Sequence, residues 1–124
     1  MGEIRYFYER FDAKEIIYRE FIGDMTVDEI IASFNYLISE NKISAQCIGI
    51  ITDTTHSNLK FSLLEFSKIP LFLLRTKKIR RLKLAVIVNT PKKTIFPVLA
   101  GKKVPFLKIC PFSEKESAFA WILK

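Results

Sequence analysis

Glycine is scarce, with four in 124 residues. The chain therefore has no Gly-rich loop whose backbone amides could cradle a phosphate, and no Lys-Ser/Thr pair following one. Histidine is scarcer still: His56 stands alone. The two cysteines, Cys47 and Cys110, lie 63 positions apart and lack the close spacing of a ligand pair, so the sequence offers no metal centre. No motif for another cofactor is present. Both cysteines sit in apolar, strand-like runs and read as reduced core thiols of a cytoplasmic protein. Long apolar runs are missing too. Uncharged runs such as residues 69–74 are far too short to cross a bilayer, so no transmembrane segment is expected. The first ten residues are charged and carry no apolar signal core, and Tyr6 stands where N-myristoylation needs Ser or Thr.

What is present fits one compact domain. The chain is 49% hydrophobic with 11 Phe, enough for a core without disulfides or metals. Charge is divided unevenly. Residues 1–62 hold 6 Lys/Arg against 10 Asp/Glu, while residues 63–124 hold 14 against 3. Such asymmetry is read as a basic side suited to an acidic partner, or as a solvated surface.

The chain is organised around residues 46–53, QCIGIITD. Apolar side chains occupy both alternating sets, so this run reads as a central strand covered on both faces, as in a parallel sheet. Residues 3–10 and 14–21 are aromatic and β-branched and predict a β-hairpin ended by Gly23-Asp24. Thr26 with Glu29 is a capping box opening a helix to about Asn41, whose apolar face is Ile30, Ile31, Phe34, Leu37 and Ile38. Ser62 with Glu65 opens a second helix, which Pro70 is expected to break near Ile69 before it restarts through residues 71–78. Residues 84–88 predict a strand. Thr90-Pro91 starts a helix that Pro97 is expected to distort before Gly101 ends it. Residues 105–110 predict an edge strand marked by Lys108. Ser113 with Glu116 predicts a third capping box and a terminal helix anchored by Ala118, Trp121 and Ile122. The order ββαβαβαβα predicts an α/β fold: an open mixed, mainly parallel five-stranded sheet with an N-terminal β-hairpin.

In this order and spacing the chain resembles the SpoIIAA-like group of STAS domains, relatives of the anti-sigma-factor antagonists. The likeness runs from the hairpin through the GDMTVDE turn at residues 23–29, the strand ending in Asp53, and AVIV at 85–88 followed by Pro91. It closes with PFSEKE at 111–116 and Trp121-Ile122-Leu123. The resemblance implies a single domain of (βα) superhelical fold and non-enzymatic binding of partner proteins. It also implies phosphorylation of a Ser or Thr in the loop after the central strand. A fold similar to CRAL-TRIO lipid-transfer domains implies a hydrophobic ligand as the alternative. One departure is visible: the family's Asp-Ser-x-Gly signature is absent, since Asp53 is followed by Thr54-Thr55-His56-Ser57-Asn58.

Three stretches are therefore candidates. The polar loop Asp53, Thr54, Thr55, His56, Ser57 and Asn58 is expected as the partner-contact and phospho-acceptor surface, because such loops collect where open α/β sheets bind ligands. Its Asp, His and Ser are too close in sequence to form a hydrolytic triad. The apolar stretch containing Phe61, Leu64, Phe66, Leu71 and Phe72 exceeds what one helix face needs and reads as core, ligand groove or dimer contact. The basic residues Lys77, Lys78, Arg80, Arg81, Lys92 and Lys93 could meet an anionic lipid or membrane surface. They lack interleaved aromatics, so specific nucleic-acid binding is not expected. The sequence thus points to a cytoplasmic binding domain acting through protein contacts, with a carrier or sensor of an apolar or anionic-lipid ligand as the alternative. Apolar residues on both sheet faces further require either a homodimer or an element folding across the sheet.

Overall fold

The computed structural model describes residues 2–124. Its five strands are β1 (Glu3–Phe11), β2 (Lys14–Met25), β3 (Cys47–Leu59), β4 (Lys83–Ile87) and β5 (Ile109–Phe112). They lie in the order β1-β2-β3-β4-β5, with β1 antiparallel to β2 and every later pairing parallel. The hairpin, the sheet and its mixed character are as the sequence predicts, but Gly23-Asp24 does not end β2, which runs on to Met25 beside β3. Asp12, in the turn, takes the left-handed conformation at φ 56, which its short polar side chain tolerates.

The helices are α1 (Val27–Ser39), α2 (Leu63–Phe66), α3 (Lys68–Arg75), α4 (Lys77–Arg80), α5 (Pro91–Lys103) and α6 (Lys115–Leu123). The expected capping boxes at Thr26 and Ser62 both form. The connections carrying α1, α2–α4 and α5 each advance one strand, and crossovers of one hand keep these helices on one face. There Phe34 of α1, Leu73 of α3, and Phe96 and Ala100 of α5 pack with Ile17, Phe21, Ile50 and Leu84 of the sheet. The opposite face is covered within the chain. Ala118 and Ile122 of α6 pack on Ile16, Ile51 and Ala85. Gly49 makes this approach feasible: a Cβ there would lie 2.6 Å from Ile122 Cγ2 and 2.9 Å from Lys83 O.

Several expected boundaries are corrected. Pro70 does not break a helix. The break comes earlier, at Ser67, and Pro70 is the third residue of α3, where its missing N–H has no intrahelical acceptor to lose. Gly101 does not end α5, which continues to Lys103 with Pro97 inside it. The proline forfeits one ladder bond, while buried Phe96 and Ala100 on either side hold the helix to the sheet. Ser113 and Glu116 form no capping box, and α6 starts from Glu114 without a side-chain cap. The last strand begins at Ile109, later than expected, because Val104 and Leu107 turn into the core first. It tolerates Pro111 as an edge strand can. Trp121 is only partly buried, its ring 5.5 Å from that of Phe112, so Ala118 and Ile122 are the true anchors of α6.

Candidate functional site

The expected loop at residues 53–58 is strand. β3 continues to Leu59 and pairs with β2 as far as Met25. β-Branched Thr suits a pleated strand, and Gly23, at φ 82, lets β2 continue beside it. Glu20 pairs with Asp53 and Ile22 with His56, so Thr54 and Thr55 together oppose Phe21 in a β-bulge. The bulge separates their side chains. Thr54 Oγ1 donates to Ile87 O at 2.7 Å, whereas Thr55 Oγ1 donates back to Asp53 Oδ1.

This polar end of β3 is internally satisfied. Asp53 accepts from Tyr18 Oη and from the Thr55 backbone N–H at 2.9 Å. Burial alone would push the Asp53 carboxyl up. The bonds from Thr55 and Tyr18, with the nearby His56 charge, hold it below the usual range instead. Burial, together with the bond to Asp53, pushes the Tyr18 hydroxyl far up. Ser57 Oγ donates to Thr54 O at 3.1 Å, not to His56, so no triad is assembled. Asn58 Nδ2 donates to Asp24 Oδ1 at 3.1 Å. Thr54 and Ser57 are buried and Thr55 is partly so, leaving His56 and Asn58 exposed. A kinase could reach Thr54 or Ser57 only if this end of the sheet opened.

The apolar candidates divide as well. Phe61 and Phe66 line a cavity between the sheet and α1, α3 and α5, but Leu64 and Leu71 do not: they are 83% and 52% exposed. Phe72 packs behind the wall, its ring 5.9 Å from that of Phe34. The cavity has a volume of about 70 Å³. One side is a cluster of Phe61, Phe66 and Phe96, with ring centroids 4.9 to 6.2 Å apart. Ile30, Ile69, Leu73 and Ala100 complete much of the wall. Leu59, Lys93 and Phe96 line both this cavity and a neighbouring groove that also contains Lys60 and Lys92, so the two adjoin beyond the end of β3.

Sequence reasoning missed the cavity's most unusual residue. Arg19, on β2, is 2% exposed. Its Nε donates to Thr52 Oγ1 at 2.8 Å, and its Nη1 to Ser33 Oγ at 2.9 Å. Ser33 in turn meets Tyr6 Oη at 2.8 Å. The guanidinium carbon lies 4.0 Å from the Phe34 ring centre and 5.0 Å from that of Phe21. Burial pushes the guanidinium down to about 9, with Tyr6 acting weakly the other way, so it remains charged at neutral pH. A signal for this existed. Arg19 shares its strand face with Ile17 and Phe21, both core residues, so period-2 alternation already places a charge in the interior.

The basic residues do not form one patch. Lys77, Lys78 and Arg80 lie on α4, just before β4 begins, whereas Lys92 and Lys93 lie on α5, just after it ends. Arg81 ties the start of β3, donating to Cys47 O at 2.7 Å and Ser44 O at 3.0 Å. Lys93 Nζ reaches Thr54 O at 2.7 Å and Asn89 Oδ1 at 2.8 Å. Among the described residues no helix is long and apolar enough to cross a membrane.

A sheet with one antiparallel edge, three crossovers on one face, and a cavity beneath them defines an α/β domain of SpoIIAA-like fold. Comparison with solved structures agrees. The chain is similar to a protein of Shewanella loihica PV-4 described as a member of the DUF3478 family with a SpoIIAA-like fold. The TM-score is 0.68 over 98% of this chain and 95% of that one, at 19% sequence identity. That likeness carries the fold. No protein-family model matches the chain, and no curated protein sequence matches it.

Proposed function

We propose that this domain is a non-catalytic binding module, and that it holds a small, largely apolar molecule in the cavity beneath α1, α3 and α5. The observation carrying this reading is the cavity itself, a mostly apolar space of about 70 Å³ against the core face of the sheet, where interiors are normally close-packed. Natural interiors rarely keep such space without use, since each unfilled volume forfeits packing contacts. An engineered cavity of about 150 Å³ binds benzene, so this one suits a compact ligand better than a full-length lipid chain. A longer ligand would have to displace the Phe61–Phe66–Phe96 cluster. The setting we propose is cytoplasmic, where Cys47 and Cys110, on strands separated by β4, stay reduced.

Native mass spectrometry of freshly expressed protein tests this. A retained small molecule is expected in wild type and its loss in Ala100→Leu, which fills the cavity from α5. A ligand-free wild type that also fails to bind short apolar probes would overturn the reading.

A second reading, contact with a partner protein or a second copy of the chain, is favoured by Leu63, Leu64 and Leu71. These are 52%, 83% and 52% exposed on the consecutive helices α2 and α3, and exposed apolar surface of this kind marks interaction sites where it is contiguous. Light scattering across a concentration series tests the homodimer form, which Leu64→Glu is expected to abolish.

A further inference from the structure

We propose that the cavity's ligand carries a carboxylate, and that Arg19 is the residue that recognises it. This rests on the reading of the cavity as a ligand site and names the chemical class it accepts.

A guanidinium placed inside a core is costly unless it is paired and its donors are used. Arg19 has hydrogen bonds from Nε and Nη1 only, both to neutral hydroxyls. Nη2 has no partner among the described residues. No fully buried side-chain nitrogen or oxygen is left unpaired, so Nη2 keeps some accessible surface, and Arg19 lines the cavity. The Phe34 and Phe21 rings offset part of the desolvation through their negative faces, but they do not use the donors. No carboxylate lies within ion-pair distance. The ion pairs among the described residues are Arg5–Glu3 and Arg10–Glu15, both remote on the hairpin. The counter-ion must then come from outside the chain.

The remaining geometry specifies it. The N–H groups of Nη2 and the second N–H of Nη1 are left to meet carboxylate oxygens, the acceptors a guanidinium pairs with best. Lys93, also lining the cavity, adds a second positive charge on the side where the lysine-bearing groove adjoins. The other walls are mostly apolar and the space is small, so the body of the ligand is apolar and slender: a short-chain monocarboxylate. A phosphate monoester, with a second charge and further acceptors, would leave oxygens unpaired against those walls.

Isothermal titration with hexanoate and hexan-1-ol, which differ in the head group alone, tests the assignment. Wild type is expected to bind hexanoate at least about tenfold more tightly than hexan-1-ol. Arg19→Met is expected to bind the two alike, and Arg19→Lys, which keeps the charge but not the fork, to show a reduced preference. Equal affinity for both probes in wild type would overturn the carboxylate assignment and leave the cavity reading intact. Binding of neither would overturn both. If the variants fail to fold, the NMR signal of the Arg19 Nε–H in wild type replaces them. It is expected to shift with hexanoate and not with hexan-1-ol, and a signal indifferent to hexanoate would overturn the proposal.

Discussion

Arg19 and Asp53 occupy facing strands and opposite sides of the sheet, and they meet opposite fates. Asp53 is supplied with donors from Tyr18 and Thr55; Arg19 is short of acceptors. A buried ion without a counter-ion commonly costs more than an apolar residue of the same volume. Arg19→Met is therefore expected to leave the ligand-free protein as stable as wild type, or more stable by about 1–3 kcal/mol, in urea denaturation. A large loss would mean that the guanidinium serves the fold instead of a ligand. Asp53 gives a prediction with a pH sign. Its folded-state value lies below the usual 3.8, so its contribution is complete above that value and is lost as pH falls through the lower one. Wild-type stability should accordingly drop more steeply in acid than that of Asp53→Asn, as thermal unfolding across a pH series would record. Neither role was open to composition alone. The residues after Asp53 look like a loop because Ser, Asn and His are common in loops. What made them strand was the length of β2, whose partner positions reach Met25.

At the scale of elements, helix starts governed by a local hydrogen bond were legible. Thr26 with Glu29 and Ser62 with Glu65 cap as the sequence predicts. Ser113 with Glu116 has the same spacing and does not cap: where α6 starts is decided by its seat on β3 and β4, not by its first turn. Pro70 misled for a related reason. A proline penalises a helix through the amide it lacks and the clash of its ring with the preceding turn, and at the third residue of α3 there is neither a ladder bond nor a full preceding turn to disturb. Gly49 shows the converse. It is the single glycine of the run QCIGIITD, a mark of close approach that does not say which element approaches, and it is where α6 descends onto the sheet. Gly49→Ala is expected to lift α6 and destabilise the domain by about 1–3 kcal/mol, with amides of residues 115–123 losing hydrogen-exchange protection first. Unchanged protection there would show that α6 is not seated through this contact.

For the molecule as a whole, the fold followed from alternating periodicities, and the site did not. A parallel sheet announces itself through strands apolar on both faces. A cavity is a shortage of atoms in three dimensions and leaves no mark on a one-dimensional pattern. Likewise, the basic residues grouped as one candidate surface are divided between the two ends of β4, because a strand carries the chain from one end of the sheet to the other. Adsorption to anionic vesicles through this charge should then be weak and lost on raising salt to a few hundred millimolar; salt-resistant binding would point to an apolar insertion surface. Methyl-detected NMR during titration with hexanoate decides whether the cavity beneath α1, α3 and α5 is a ligand site. Saturable shifts are expected at the methyl groups of Ile30, Ile69, Leu73 and Ile109, which line the cavity. Shifts confined to the exposed Leu64 and Leu71, or none at all, would contradict it.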